Sequence, residues 1–171
     1  MLLPNVTLRR LVPILIFAIA AHNFEEWLTY PHFGESSAVV GQRLGLHVTP
    51  QPWPVVQGGL VFVTLVPAAL LILACRTSKT WGIWIICWIA SIFLVNVFIP
   101  HLPAIVMLKG YAPGGITALL VNLPLSALML FKARQEQLLT RKQIVVVVVA
   151  AIFSLPLSIG LAFAVARMII T

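Results

Sequence analysis

Four stretches of this chain contain no Asp, Glu, Lys or Arg: 44–75, 80–108, 110–131 and 143–166. A helix needs about 20 apolar residues to cross a hydrocarbon core of about 30 Å. Each of the four can supply them. A fifth apolar run, 11–24, is only 14 residues long and ends at Glu25. At about 1.5 Å per residue it cannot cross alone. It becomes long enough only if Glu25 and Glu26 enter the membrane zone with it. The chain as a whole is 61% hydrophobic and 9% charged, whereas soluble domains carry about a quarter charged residues. A soluble globular fold, a disordered chain and a coiled coil are therefore excluded.

The expected fold is all-α: one transmembrane helical domain over residues 1–171 with about five spans. Span 1 is expected over about Leu11–Tyr30, with Pro31 stopping it, because proline disfavours helix in the residue before it. Residues 32–54 read as the longest loop. Span 2 follows at about Val55–Cys75, and a tight basic link (76–80) turns into span 3. Trp81, Trp84 and Trp88 open span 3 as an interfacial aromatic anchor. Its far end carries Pro100, His101 and Pro103. Span 4 is expected at about Gly114–Phe131 and span 5 at about Ile144–Ala166. The run Ile144–Val149 would suggest a buried strand in a soluble protein, but the length of its segment favours a helix.

Charge sets the orientation. With the N-terminus inside, inner segments hold Arg9, Arg10, Arg76, Lys79, Lys132, Arg134, Arg141 and Lys142, and outer segments hold Arg43, Lys109 and Arg167. Eight bases against three predict N-in, C-out. The formal charge of +7 does not indicate nucleic acid, because the bases cluster at span ends with no interleaved aromatics. The start of the chain also has features of a signal peptide, with a basic pair, an apolar run and Ala18-Ile19-Ala20; retention as a span is preferred, since cleavage would leave His22 and Glu25 at a new terminus. Cys75 and Cys87, near one inner loop, are expected to be reduced thiols.

The chemistry concentrates in Ala21-His22-Asn23-Phe24-Glu25-Glu26-Trp27. On a helix, His22 neighbours both Glu25 (i+3) and Glu26 (i+4). An imidazole and carboxylates on one face can hold a divalent metal, and a carboxylate can orient an imidazole as a base. His22 lies about 18 Å beyond Arg10, past the midplane on the outer side. His101, about 20 residues into span 3, arrives at similar depth. Pro100 and Pro103 leave the carbonyls of Asn96 and Ile99 without helical donors. Non-helical backbone at membrane depth is tolerated only when buried in protein or lining a wet cavity. Ionisable groups inside a span are functional candidates by default.

Other residues have plainer readings. His32 and His47 are expected on the outer surface, and Glu35 and Glu136 as solvated loop charges. Gly58, Gly59, Gly114, Gly115 and Gly160 are expected to allow close helix approach.

The pattern His22-x-x-Glu25-Glu26 on a first span resembles the bacterial membrane family named for its His-x-x-Glu-Glu motif. Asn96, His101, the segment Tyr111-Ala112-Pro113-Gly114 and Thr117 match the second part of that family's pattern in order and approximate spacing. The resemblance covers roughly Ala21 to Thr117. It implies a bacterial plasma-membrane protein in which His22, Glu25, Glu26, Asn96, His101, Tyr111, Pro113, Gly114 and Thr117 form one site. It names no reaction.

The leading expectation is a metal-dependent membrane enzyme, a hydrolase or oxidoreductase, acting on a lipid or other apolar substrate. His22, Glu25, Glu26 and His101 would hold Zn, Fe or Mn. Glu25, Glu26, Tyr111 and Asn96 are the expected catalytic groups, with Tyr111 and Asn96 orienting substrate or ligands. Metal-free acid-base isomerisation or cyclisation of an isoprenoid would need one Glu kept protonated by desolvation and its like-charged neighbour. Small proton- or cation-coupled transport is the third class. No inverted repeat supports it, although a homodimer would supply symmetry.

Overall fold

A computed structural model describes residues 6–33, 35–43 and 50–170. Among these there are helices and no strands. Five helical stretches are long and apolar enough to cross a membrane: Leu8–Phe33, Trp53–Arg76, Thr80–Leu108, Gly115–Gln135 and Arg141–Ile170.

The first is one continuous helix, α1 (Leu8–Phe33). It begins before the expected start because its first turn is tied down. Glu136 Oε1 accepts the Leu8 backbone N–H at 2.8 Å, satisfying a donor that the helix leaves free. The Arg9 guanidinium donates to the carbonyls of Cys75 and Thr77 at 2.8 and 2.7 Å. Glu136 is therefore a cap supplied from the other end of the chain, not the solvated loop charge expected. Pro31 does not stop α1 but lies in its last turns. Aromatic contacts hold that end: Tyr30 stacks on Trp53 at 5.7 Å, Trp27 meets the same indole edge-on, and Phe33 packs against Tyr111 at 5.0 Å.

The expected long loop contains a second helix, α2 (Glu35–Arg43). It has no long apolar stripe to announce it. Tertiary contacts support it: Val40 packs with Ala104 and Ala112, and Arg43 donates to the Met107 carbonyl at 2.6 Å. His47 lies outside the described residues, and His32 is exposed as expected.

Helix α3 (Trp53–Arg76) packs closely on both neighbours. A Cβ on Gly58 would lie 2.8 Å from Ala166 Cβ, and one on Gly82 would lie 2.6 Å from the Ala74 carbonyl. Small residues thus permit the approach of the helices that carry Ala166 and Gly82, as spans without a hydrophobic driving force require. Gly160 differs: nothing lies within 4 Å of a Cβ there.

The third span is broken. Helix α4 (Thr80–Asn96) leads into a wide, π-type turn (Val97–His101), and α5 (Leu102–Leu108) follows. Ile99 is extended at φ −145°, ψ 108°, and its bond to Pro100 is cis. The residue before proline is pushed out of the helical region, and here that interrupts the ladder. The Trp88 indole donates to Ser154 Oγ at 3.0 Å, joining α4 to the last helix.

The fourth span starts with a short helix, α6 (Gly115–Thr117), passes a second wide turn (118–122) and continues as α7 (Leu123–Gln135). The last helix, α8 (Arg141–Ile170), extends past both expected ends, and the run Ile144–Val149 is helical within it. The main core joins α1, α3, α4, α7 and α8 through Leu15, Ile19, Leu71, Ile86 and Met129, each fully buried, and Val147, 2% exposed. Cys75 and Cys87 are both free thiols.

Candidate metal and proton-handling site

The site forms where α1 meets the two broken spans. His22 and His101 are both buried, at 1% and 3% exposure, while Glu26 keeps 23%. Glu26 Oε1 lies 3.6 Å from His22 Nε2 and 3.4 Å from His101 Nε2. One ligand atom from each of these three residues lies within 4.8 Å of the others, an arrangement that could hold a metal ion. The two rings meet edge-on with centroids 4.8 Å apart, and Phe93 flanks His22 at 6.3 Å.

The broken third span explains how Asn96 and His101 reach the same point. Five residues along a regular α-helix place two side chains about 140° apart. The wide turn with extended Ile99 removes that separation. Asn96 Nδ2 lies 3.1 Å from His22 Nε2 and 3.1 Å from His101 Nε2. An amide nitrogen has two hydrogens, so one can go to each imidazole lone pair.

Glu25 is placed elsewhere. Adjacent residues on a helix do not share a face, and Glu25 points away from the group formed by His22, Glu26 and His101. Its Oε1 accepts from the Tyr111 hydroxyl at 2.6 Å and the Ile116 backbone N–H at 3.1 Å. Its Oε2 accepts from the Thr117 backbone N–H at 2.7 Å and the Thr117 hydroxyl at 2.5 Å. The carboxylate thus caps the N-terminus of the fourth span from a different helix, where free N–H groups and the helix dipole favour an anion. With four donors on its two oxygens, Glu25 is held by Tyr111, Ile116 and Thr117 and is not brought to the group of His22, Glu26 and His101.

The two parts of the site are joined by one hydroxyl. His22 Nδ1 lies 2.9 Å from Thr117 Oγ1. That hydroxyl donates to Glu25, so it accepts from His22 Nδ1–H. The neutral tautomer then leaves Nε2 with its lone pair directed at Glu26, His101 and Asn96. A hydrogen bond at one ring nitrogen settling what the other can bind is the usual outer-shell device at metal-ligating histidines.

The segment before the fourth span is shaped by Gly114. The Gly115 N–H donates to the Ala112 carbonyl at 2.9 Å. Gly114 has φ +73° and ψ −2°. Proline at the second position and glycine at the third, with these angles, mark a type II turn. A Cβ on Gly114 would lie 2.8 Å from both Glu26 Cγ and His22 Cε1. The glycine is needed twice over, for its backbone angle and for the space that His22 and Glu26 occupy.

Tyr111 stands on this turn, outside the spans. Burial first, and then its bond to the Glu25 carboxylate, push its phenol up from the ordinary value. The hydroxyl therefore stays protonated at neutral pH and keeps its hydrogen bond to Glu25.

Two features were not anticipated from the sequence. On a neighbouring face of α1, Asn23 Nδ2 donates to Thr64 Oγ1 at 2.7 Å, beside a groove lined by Ala20, Phe24, Trp27, Leu60 and Leu65. Asn122 and Ser126 are fully buried one helical turn apart on the fourth span, and the amide of Asn122 and the hydroxyl of Ser126 have no hydrogen-bond partner among the described residues. A polar residue at intramembrane position is the signal that could have found both pairs.

A family described as a protein of unknown function with HXXEE motif matches residues 13–129. A curated relative, the uncharacterised protein YrkK of Bacillus subtilis (strain 168), is 26% identical over 140 residues, covering 79% of this chain and 82% of its own length. No solved structure shows a significant match. The match spans α1 to the middle of α7 and so takes in His22, Glu25, Glu26, Asn96, His101, Tyr111, Gly114 and Thr117; the chain belongs to the HXXEE family.

Proposed function

We propose that this protein is a metal-dependent membrane enzyme that acts on a lipid or other apolar substrate. One observation carries the reading: the convergence of His22, Glu26 and His101, each with one ligand atom within 4.8 Å of the others. Two imidazoles and a carboxylate suit Zn, Fe or Mn. A divalent cation in such a site polarises a carbonyl or phosphoryl oxygen and lowers the pKa of a coordinated water toward neutrality. The chain's own groups divide the remaining work. Glu25 and Thr117 hold His22 with Nε2 free to bind. Gly114 lets the turn close over the site. Tyr111 offers a hydroxyl proton at its edge. Five helices of spanning length and the apolar groove on the Asn23 face of α1 support a substrate drawn from the membrane, and the excess of bases at one set of span ends supports N-in, C-out insertion in a bacterial plasma membrane.

The test is the metal content of purified protein and of two variants. Glu26→Gln is expected to lose stoichiometric metal. Glu25→Gln is expected to keep it with affinity reduced about 10- to 100-fold, the usual effect of removing an outer-shell partner. Equal loss in both variants would refute the division between the two glutamates, and metal-free protein from metal-supplemented cells would refute the metal reading itself.

A second reading rests on the same distances. Glu26 Oε1 at 3.4 and 3.6 Å from two imidazoles can exchange a proton with either, which serves acid-base isomerisation of an isoprenoid without a metal. Activity that survives chelation selects this reading.

A further inference from the structure

The place of Asn96 between the two imidazoles carries a consequence for the ligand set. Its Nδ2 is 3.1 Å from each Nε2, and Glu26 Oε1 is 3.6 and 3.4 Å from the same two atoms. In a tetrahedral site with bonds of about 2.0–2.1 Å, ligand atoms stand roughly 3.3–3.4 Å apart. Four of the six edges of such a figure, from 3.1 to 3.6 Å, lie close to that length. The tip of the Asn96 side chain therefore stands about one such edge from both imidazoles, where it can supply a fourth donor.

The chemistry of that tip depends on what fills the site. Without a cation, an N–H₂ group matches two inward lone pairs. With a cation bonded to those lone pairs, the same N–H₂ would present positive hydrogens to a positive ion. A half-turn of the carboxamide exchanges nitrogen and oxygen with almost no change of shape. We propose that Asn96 is the fourth ligand of this site, and that cation entry turns its carboxamide so that Oδ1 takes the place of Nδ2. The proposal rests on the reading of His22, Glu26 and His101 as metal ligands. It also gives the wide turn at Val97–His101 a purpose, since only that distortion lets residues 96 and 101 contribute ligands from one span. Because a neutral amide oxygen is a weak ligand, it is also the vertex that water or a substrate oxygen would displace.

The experiment is Co²⁺ titration of the full-length protein in detergent micelles, following the visible ligand-field bands, whose intensity reports coordination number. Wild type is expected to show the intense bands of a four-coordinate site. Asn96→Asp, which supplies an oxygen at the same vertex, should leave the spectrum nearly unchanged while tightening binding at least tenfold. Asn96→Ala should bind at least tenfold more weakly with bands reduced in intensity. If Asn96→Ala does not fold, the aspartate variant decides alone. Weak bands in wild type that become intense in Asn96→Asp would mean that the amide was not a ligand, and would overturn the proposal. So would an Asn96→Ala spectrum and affinity matching wild type. Failure of wild type to bind Co²⁺, or binding indifferent to His22→Ala, would instead remove the metal reading and this proposal with it.

Discussion

Replacing Gly114 by alanine puts one methyl group into the most crowded part of the site. The residue has φ +73°, a left-handed conformation that costs an L side chain about 1–2 kcal/mol. The added Cβ would also lie 2.8 Å from His22 Cε1, 2.8 Å from Glu26 Cγ and 2.9 Å from Glu26 Oε1. Glu26 is partly exposed and can swing aside. His22 cannot, because Thr117 holds one ring nitrogen and Asn96 the other. Forcing a methyl into a packed position costs about 1–3 kcal/mol. The two contributions sum to about 2–5 kcal/mol, or roughly 30- to 4,000-fold in an equilibrium constant at about 1.4 kcal/mol per decade. The loss divides between folding stability, read by denaturant titration in micelles, and metal affinity, read by competition with a chromophoric chelator. Gly115→Ala is the control. Its Cβ would meet only the end of the Ile105 side chain, at 3.0 Å, and its backbone is helical. An effect below about 1 kcal/mol is expected there, since surface-like accommodation is usual when no special angle or rigid neighbour is involved. Equal effects of the two alanines on both readouts would refute the assignment of Gly114 to the site.

The cap at the start of α1 predicts that Glu136→Ala lowers stability by about 1 kcal/mol, the ordinary cost of a lost N-terminal cap; a melting temperature unchanged from wild type would show that the bond from Leu8 contributes nothing. Tyr111→Phe should cost about 1.5 kcal/mol, the low end for a hydrogen bond to a charged acceptor because the pair is partly exposed, measured by denaturation at neutral pH. The same pair has a pH signature. The Tyr111 pKa is raised in the folded state, so its contribution is fully present below the unfolded value of about 10 and fades as pH rises through the higher folded value. The stability difference between wild type and Tyr111→Phe should therefore be constant from pH 6 to 9 and shrink above about 10; a difference that grows with pH would contradict the geometry.

The histidine and glutamates of α1 were legible as a site because charge is scarce and expensive inside an apolar run. Two glutamates beside a histidine stand out when the whole chain has four acids. His101 was legible for the same reason, helped by the prolines around it. What periodicity could not do was separate Glu25 from Glu26, since both stand within one turn of His22. Their different roles depend on where the fourth span places its first N–H groups, and that is a matter of packing between helices distant in sequence. Thr117 was recognisable only through a family pattern, because a lone threonine on an apolar span usually bonds its own helix. Glu136 was misread because a charged residue in a polar link gives no hint that the first turn of α1 lies against it.

The apolar runs and the distribution of charge determined, without any coordinates, that this is a bundle of about five spanning helices and that α1 carries ionisable groups into it. The hydrophobic requirement is local, summed over about 20 consecutive residues, so it can be read along the chain. Tertiary structure decided the rest: which glutamate faces the histidines, why Gly114 must be glycine, and how Asn96 and His101 reach one point across a broken helix. Those depend on distances of about 3 Å between residues that are up to 95 positions apart, and local periodicity carries no information on that scale.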